Sequence, residues 1–159
     1  MNTALILHIF IAALLGGIIG LEREYRAKEA GFRTHFLVAL GSALFMVVSQ
    51  YGFAEILRYP GVSLDPSRIA AQVVSGIGFI GAGTIIFQKH VVRGLTTAAG
   101  LWVTSAIGLA CGAGMYIISI TATILVLLCL ETIYFILNRF GSRNIAITFT
   151  SPDRKSIRQ

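Results

Sequence analysis

Few side chains in this sequence are equipped for chemistry. Asp65-Pro66-Ser67-Arg68 opens an apolar run, and Gln72 and Ser75 follow Arg68 at steps of four and three. At about 100° per residue, Arg68, Gln72 and Ser75 project within roughly 60° of one another on a helix, on a face that Gly76 and Gly83 continue. A cation and an amide descending one stripe into a bilayer are costly unless they meet partners or water. The stripe reads either as a polar site opening to the outside or as hydrogen-bonding glue between helices. Asp65 also has two readings. Asp followed by Pro is a strong helix start, so it is a cap or a member of that site. Glu131 is the one carboxylate inside an apolar run. Such an acid is a functional hypothesis, yet it lies about a turn and a half from Asn138, close enough to snorkel to the membrane edge.

Other constellations carry less. His8, His35 and His90 have no second ligand at i+4, so no metal motif of that kind exists, and the ligands of any metal stay unknown. His35, Ser42 and Ser49 follow a heptad step, and a lone His near a helix end is more often a packing or interface residue than a ligand. Gly76-Ile77-Gly78-Phe79-Ile80-Gly81 matches the dinucleotide fingerprint literally. It sits inside an apolar helix, with Leu101 where an acid should follow, so packing is the reading. Gly78 and Gly81 fall opposite Gly76 and Gly83, which predicts a third span pressed from two sides, the central helix of a bundle. Thr97, Gly100, Thr104, Gly108 and Cys111 make a small, weakly polar stripe suited to packing on that helix. Thr96-Thr97, after Arg93-Gly94, is a candidate helix cap. Gly16 and Gly20 make a GxxxG with Ala12 beside them, and Gly108 and Gly112 make another. No nucleophile–base pair or metal-water constellation appears, so an enzyme is not expected.

These residues sit in a chain of 159 residues, 55% hydrophobic and 13% charged. Soluble domains are about 25% charged, and one this small cannot hide so much apolar side chain. Disorder and a disulfide scaffold fall with it, because polar residues are scarce and there are two cysteines. Charge-poor runs at Thr3–Leu21, Thr34–Gly52, Ile69–Phe87, Leu95–Gly112 and Met115–Leu137 each suit a transmembrane helix. The last two are joined by a tight hairpin at Gly112-Ala113-Gly114. Cys111 and Cys129 then lie at heights roughly 15 Å apart, beyond disulfide reach. With five spans, loops one and three share a side with the tail, and Lys+Arg divide 11 against 2; with four they divide 6 against 7. The positive-inside rule therefore favours five spans, the N-terminus outside and the C-terminus cytoplasmic. The first span lacks the basic n-region and small-residue cleavage site of a cleaved signal.

The fold class expected is all-α: a polytopic five-helix membrane bundle over residues 1–137, followed by a basic cytoplasmic tail, 138–159. Within the tail, Ile145-Ala146-Ile147-Thr148-Phe149 alternates like a strand, and Ser151-Pro152-Asp153 reads as a helix start. That beginning is too short to bury a core, so it is cut from a longer domain or pairs with something else. The mixed charges of Glu22-Arg23-Glu24-Tyr25-Arg26 suit a juxtamembrane turn on anionic headgroups. A nucleic-acid partner is not expected.

Four stretches, in this order, resemble the MgtC/SapB family of bacterial inner-membrane proteins. They are Gly20-Leu-Glu-Arg-Glu24, Ala30-Gly-Phe-Arg-Thr-His35, Asp65-Pro-Ser-Arg-Ile-Ala-Ala-Gln72 with Gly76–Gly83, and Arg93-Gly-Leu-Thr-Thr-Ala-Ala99 with Leu101-Trp-Val-Thr104. The resemblance reaches about Tyr116. Glu22, Arg23, Glu24, Arg26, Arg33, Thr34, His35, Arg93, Thr96 and Thr97 are the candidates on the cytoplasmic side. Position 100 varies in such motifs, and Gly100 stands where others carry a polar residue. Many members carry an ACT-like domain after the last span, and Ile145–Phe149 looks like its first strand. The resemblance implies a part in coping with low magnesium, in ion or membrane-potential homeostasis, and in some members in virulence. No cofactor is implied, though Mg²⁺ is a possible ligand. Two readings follow: a regulator that binds membrane partners by its small-residue faces, as a homo-oligomer with a dimer favoured, or an ion transporter along the Asp65, Arg68 and Gln72 face. Mg²⁺ wants several oxygen ligands, and the acids Glu131, Asp65, Glu22 and Glu24 are few amid surplus arginine.

Overall fold

The computed structural model describes residues 2–88 and 91–140, with side chains of the last helix placed as far as Thr132. The expectations for His90 and the 141–159 strand-then-helix lie outside the described residues. Five helices follow in chain order: α1 (Asn2–Tyr25), α2 (Phe32–Tyr51), α3 (Ser67–Gly83), α4 (Leu95–Gly112) and α5 (Tyr116–Phe140). Among the described residues three stretches are long and apolar enough to cross a membrane: α1, Phe32–Arg58, which contains α2, and α4.

The helix ends follow from local chemistry. α4 closes with Gly114 in the left-handed region at φ 78°, while the Met115 and Gly114 amides bond back to the Ala110 and Cys111 carbonyls at 2.9 Å each. This six-to-one and five-to-two pair is a Schellman cap, and it makes the expected hairpin between α4 and α5. α1 closes in the same way, with Lys28 bonding to Arg23 at 3.0 Å and Ala27 to Glu24 at 2.9 Å. Here Ala27, at φ 50°, stands where glycine is usual.

The all-α expectation needs correction at α3. The helix stops at Gly83, and strands β1 (Ile86–Gln88) and β2 (Val91–Arg93) pair antiparallel with Phe87 opposite Val92. The Thr84 and Ile85 amides bond to Gly81 and Ala82, three residues back, and the Thr84 hydroxyl donates to the Gly81 carbonyl at 2.8 Å. These bonds tighten and close the helix, and the branched and aromatic residues beyond it favour extended pairing. Gly94, at φ 87°, then returns the chain so closely that any Cβ would overlap the Thr84 carbonyl.

The bundle is organised around α4, which packs on all four other helices. A Cβ on Gly16 would stand 2.5 Å from the Ala39 Cβ, and one on Gly20 would stand 2.7 Å from the Phe32 Cα. Gly108 meets the Ala39 backbone, and a Cβ on Gly112 would lie 2.6 Å from the Ala43 carbonyl. Ala12, Leu15, Ile19, Ala43, Ile107 and Cys111 fill the core between these helices. All five residues of the α4 stripe, Thr97 to Cys111, are buried.

That stripe rests on α2 and not, as expected, on the third span. α3 is not the central helix either. Its buried residues are Ile77 and Gly81, the latter in ordinary contact with Ala98, and a Cβ on Gly76, Gly78 or Gly83 would meet nothing within 4 Å. The closest approach goes where both surfaces are small, and α2 opposes α4 with Ala39, Ser42 and Ala43. The GxxxG of α1 is likewise filled by α2, so Gly16 and Gly20 do not form a face for a partner protein.

Two outcomes are expected in thermal melts of the detergent-solubilised chain. Gly108→Leu, forced against the Ala39 backbone, loses about 3 kcal/mol or more of stability. Ala27→Gly relieves the left-handed alanine and gains roughly 0.5–1 kcal/mol.

Candidate functional site

At the end of the bundle where α1 hands over to α2, charged groups form a closed collar. Arg23 is 4% exposed, and its Nε and Nη2 donate to the carboxylate of neighbouring Glu22 at 2.5 and 2.9 Å. One turn on, the Arg26 Nε lies 3.4 Å from the same carboxylate, and its Nη2 donates to Glu131 on α5 at 2.5 Å. Glu22 and Glu131 thus flank one guanidinium. The snorkelling reading of Glu131 gains a specific partner, and the first loop is tied to a helix 105 residues away.

Two further acids of this segment hold backbone and helix. Glu24 accepts the Phe32 amide at 2.8 Å, closing the turn into α2. Glu29 accepts the Thr97 hydroxyl at 2.8 Å, joining the loop to the first turn of α4. Its own backbone N–H and then the Thr97 hydroxyl favour the charged form and hold the Glu29 carboxyl below the ordinary glutamate range. Thr97 was a candidate helix cap; its hydroxyl is engaged here instead. Beneath the collar His35 is completely buried. Its Nδ1 lies 3.0 Å from the Gly31 carbonyl, which can only accept, so Nδ1 carries the proton and Nε2 the lone pair. Nε2 is buried with no hydrogen-bond partner among the described residues, and Gly100 offers it only backbone and space.

The opposite end holds the other candidates. Both Ser67 groups donate to Asp65 Oδ1, the amide at 3.0 Å and the hydroxyl at 2.6 Å, so the capping reading of Asp65 has its geometry. Those bonds, side chain first, hold the Asp65 carboxyl below the ordinary range. Ser49, in the last turn of α2, donates to the Pro66 carbonyl at 2.7 Å. Arg68, Gln72 and Ser75 are exposed on the outer face of α3. α2 starts at the Glu131 end and finishes at the Pro66 end, so Glu131 does not join Asp65, Arg68 and Gln72 in one site. Arg33, Arg93 and Thr96 are exposed near the collar, and Thr34 is half-buried. Among the described residues no three His, Cys, Asp or Glu side chains converge as a metal centre would require.

The α2 heptad is the buried seam of that helix. His35, Ser42 and Ser49 each have a partner across a turn or a helix, and the Ser42 and Ser105 hydroxyls meet at 2.9 Å. Sequence reasoning missed Ser105 and Glu29. Ser105 follows the Thr104 of a recognised stripe, which was a usable signal. Glu29 has none, because its partner is 68 residues away.

A family model described as the MgtC family matches residues 9–139, which takes in nearly all of the five helices. The chain belongs to the MgtC family. Among its relatives, the protein named "Putative magnesium transporter YhiD" of Escherichia coli K12 is 49% identical over 150 residues, covering 94% of this chain and 70% of that one. Protein MgtC of Salmonella typhimurium strain 14028s is 46% identical over 122 residues, 77% of this chain and 49% of its own. Protein MgtC of Brucella abortus is 48% identical over 116 residues, 73% and 45% respectively. The chain therefore spans about half the length of the MgtC proteins it matches. No solved structure matches it. Like the family, it is a membrane protein with a magnesium-related kinship.

The collar is expected to act as a screened, partly exposed ion pair. A double-mutant cycle of Arg26→Gln and Glu131→Gln, read by thermal denaturation in detergent, should give a coupling of about 0.3–1 kcal/mol that shrinks with added salt.

Proposed function

We propose that this MgtC-family chain is a non-enzymatic regulator in the bacterial inner membrane, working in adaptation to low magnesium and in ion or membrane-potential homeostasis through contacts with membrane partners. Five spans, with the collar and tail cytoplasmic and the N-terminus outside, accord with the 11-to-2 division of positive charge. The collar then faces anionic headgroups through exposed Lys28, Arg33 and Arg93.

One observation carries the regulatory reading. Glu22 and Glu131 are neutralised by Arg23 and Arg26, and the polar groups of α3 lie on an outer face instead of lining an interior. A hard dication needs several uncommitted oxygens, and a single subunit gathers no such set among the described residues. The alternative is Mg²⁺ or other ion transport along Asp65, Arg68 and Gln72. It is favoured by the position of that polar stripe on α3 and by the name given to the Escherichia coli relative.

Reconstitution separates the two. The purified chain in liposomes loaded with a Mg²⁺ indicator is expected to give no influx above protein-free vesicles. Mg²⁺ influx that disappears in Asp65→Asn would overturn the regulatory reading.

A further inference from the structure

In α3 the polar groups are left uncovered by the other described residues. Arg68, Gln72, Ser75 and Phe79 fall within roughly 60° of one another around the helix. All four are exposed, Phe79 by 84%. Elsewhere, a hydroxyl on an outer helix face satisfies itself: Thr121 bonds back to the Ile117 carbonyl at 2.8 Å. Ser75 and the Gln72 amide make no side-chain hydrogen bond among the described residues, and a hydrocarbon environment makes an unmatched amide expensive. Phe79 stands between Gly76 and Gly83, where a Cβ would meet open space. The face therefore has a knob, two hollows beside it, and polar groups lacking partners.

We infer that this face of α3 pairs with the same face of a second copy of the chain, about a two-fold axis along the membrane normal. Two copies inserted with the same orientation can be related by no other two-fold, and such an axis brings residues of similar height together. The requirements of Gln72, Phe79 and Arg68 are then met by the face itself. The Gln72 amide carries both donors and an acceptor, so two of them satisfy each other. Phe79 of each copy enters the hollow between Gly76 and Gly83 of the other, at the close approach that small residues permit. At the outer end, Asp65 and Arg68 have opposite charges one turn apart, and no ion pair joins them among the described residues. Ser67 occupies Oδ1 of Asp65, leaving Oδ2 for the Arg68 guanidinium of the second copy. Among the described residues the glycines of α1 and α4 are filled by neighbouring helices, whereas Gly76, Gly78 and Gly83 of α3, like the lone Gly41 of α2, have open space beside them.

This inference rests on the reading that α3 crosses the bilayer, which an impermeant maleimide reports separately by labelling Ser63→Cys before the helix and not Gln88→Cys after it. The experiment uses the full chain in native membranes with Cys129→Ser, so that the buried Cys111 is the one native thiol. Phe79→Cys is oxidised with copper phenanthroline and compared with Ile117→Cys on α5, which is similarly exposed. The disulfide-linked dimer should form about tenfold more with Phe79→Cys, and equal yields overturn the interface. In the Phe79→Cys background, Asp65→Arg or Arg68→Asp should each lower the yield about tenfold by placing like charges together. Differently tagged copies of those two variants, expressed together, should recover a mixed dimer, because each Arg then meets an Asp. That recovery also shows that both variants fold, and its absence overturns the pairing. Labelling of Ser63→Cys and not Gln88→Cys, without dimer, refutes the interface alone, whereas equal labelling of the two refutes the span and the interface together.

Discussion

The contact on which the rest depends is the approach of α2 to α1 and α4 at backbone distance. In lipid, helices have no hydrophobic reason to associate, so dispersion between closely packed backbones must hold them. Gly16 and Gly20 provide that approach on one side of α2, and Gly108 and Gly112 on the other. The spacing it sets is what brings Ser42 within hydrogen-bonding distance of Ser105, Thr97 within reach of Glu29, and His35 against Gly100. Polar groups at these depths are tolerable because each is delivered to a partner, with His35 Nε2 and the Thr104 hydroxyl as the buried exceptions.

A second constraint is electrostatic. The collar concentrates acids and arginines at one end, and their arrangement alternates, so that Arg26 has Glu22 on one side and Glu131 on the other. Such alternation lets charge remain at a membrane edge with little net field. α5 is also held at both ends: Arg26 bonds to Glu131 at the collar, while at the far end the Tyr116 ring meets His8 edge-on at 5.4 Å.

What could be read from the sequence was whatever is decided within a few residues. The Gly112–Gly114 hairpin, the Asp65 cap and the His35, Ser42 and Ser49 seam all have local signatures, and the structure contains each of them. α3 was misread because a glycine stripe looks the same whether a neighbouring helix covers it or it faces open space. The β-hairpin after Gly83 was missed because Ile85-Ile86-Phe87 continues an apolar run, and hydropathy does not distinguish helix from strand over so few residues. Pairings such as Glu29 with Thr97 depend on the tertiary approach itself and have no mark in the chain.

The early end of α3 has a consequence for the surrounding lipid. At about 1.5 Å per residue, its 17 residues rise roughly 25 Å, against a hydrocarbon thickness near 30 Å. With α3 crossing as proposed, the shortfall is met by drawing the bilayer inward on that flank or by lowering the hairpin into the headgroup layer, where exposed Ile86, Phe87, Val91 and Val92 find an apolar surface. α1, with 24 residues, has no such deficit. The two sides of the molecule therefore prefer different membrane thicknesses, and this protein carries a thickness gradient in its own outline.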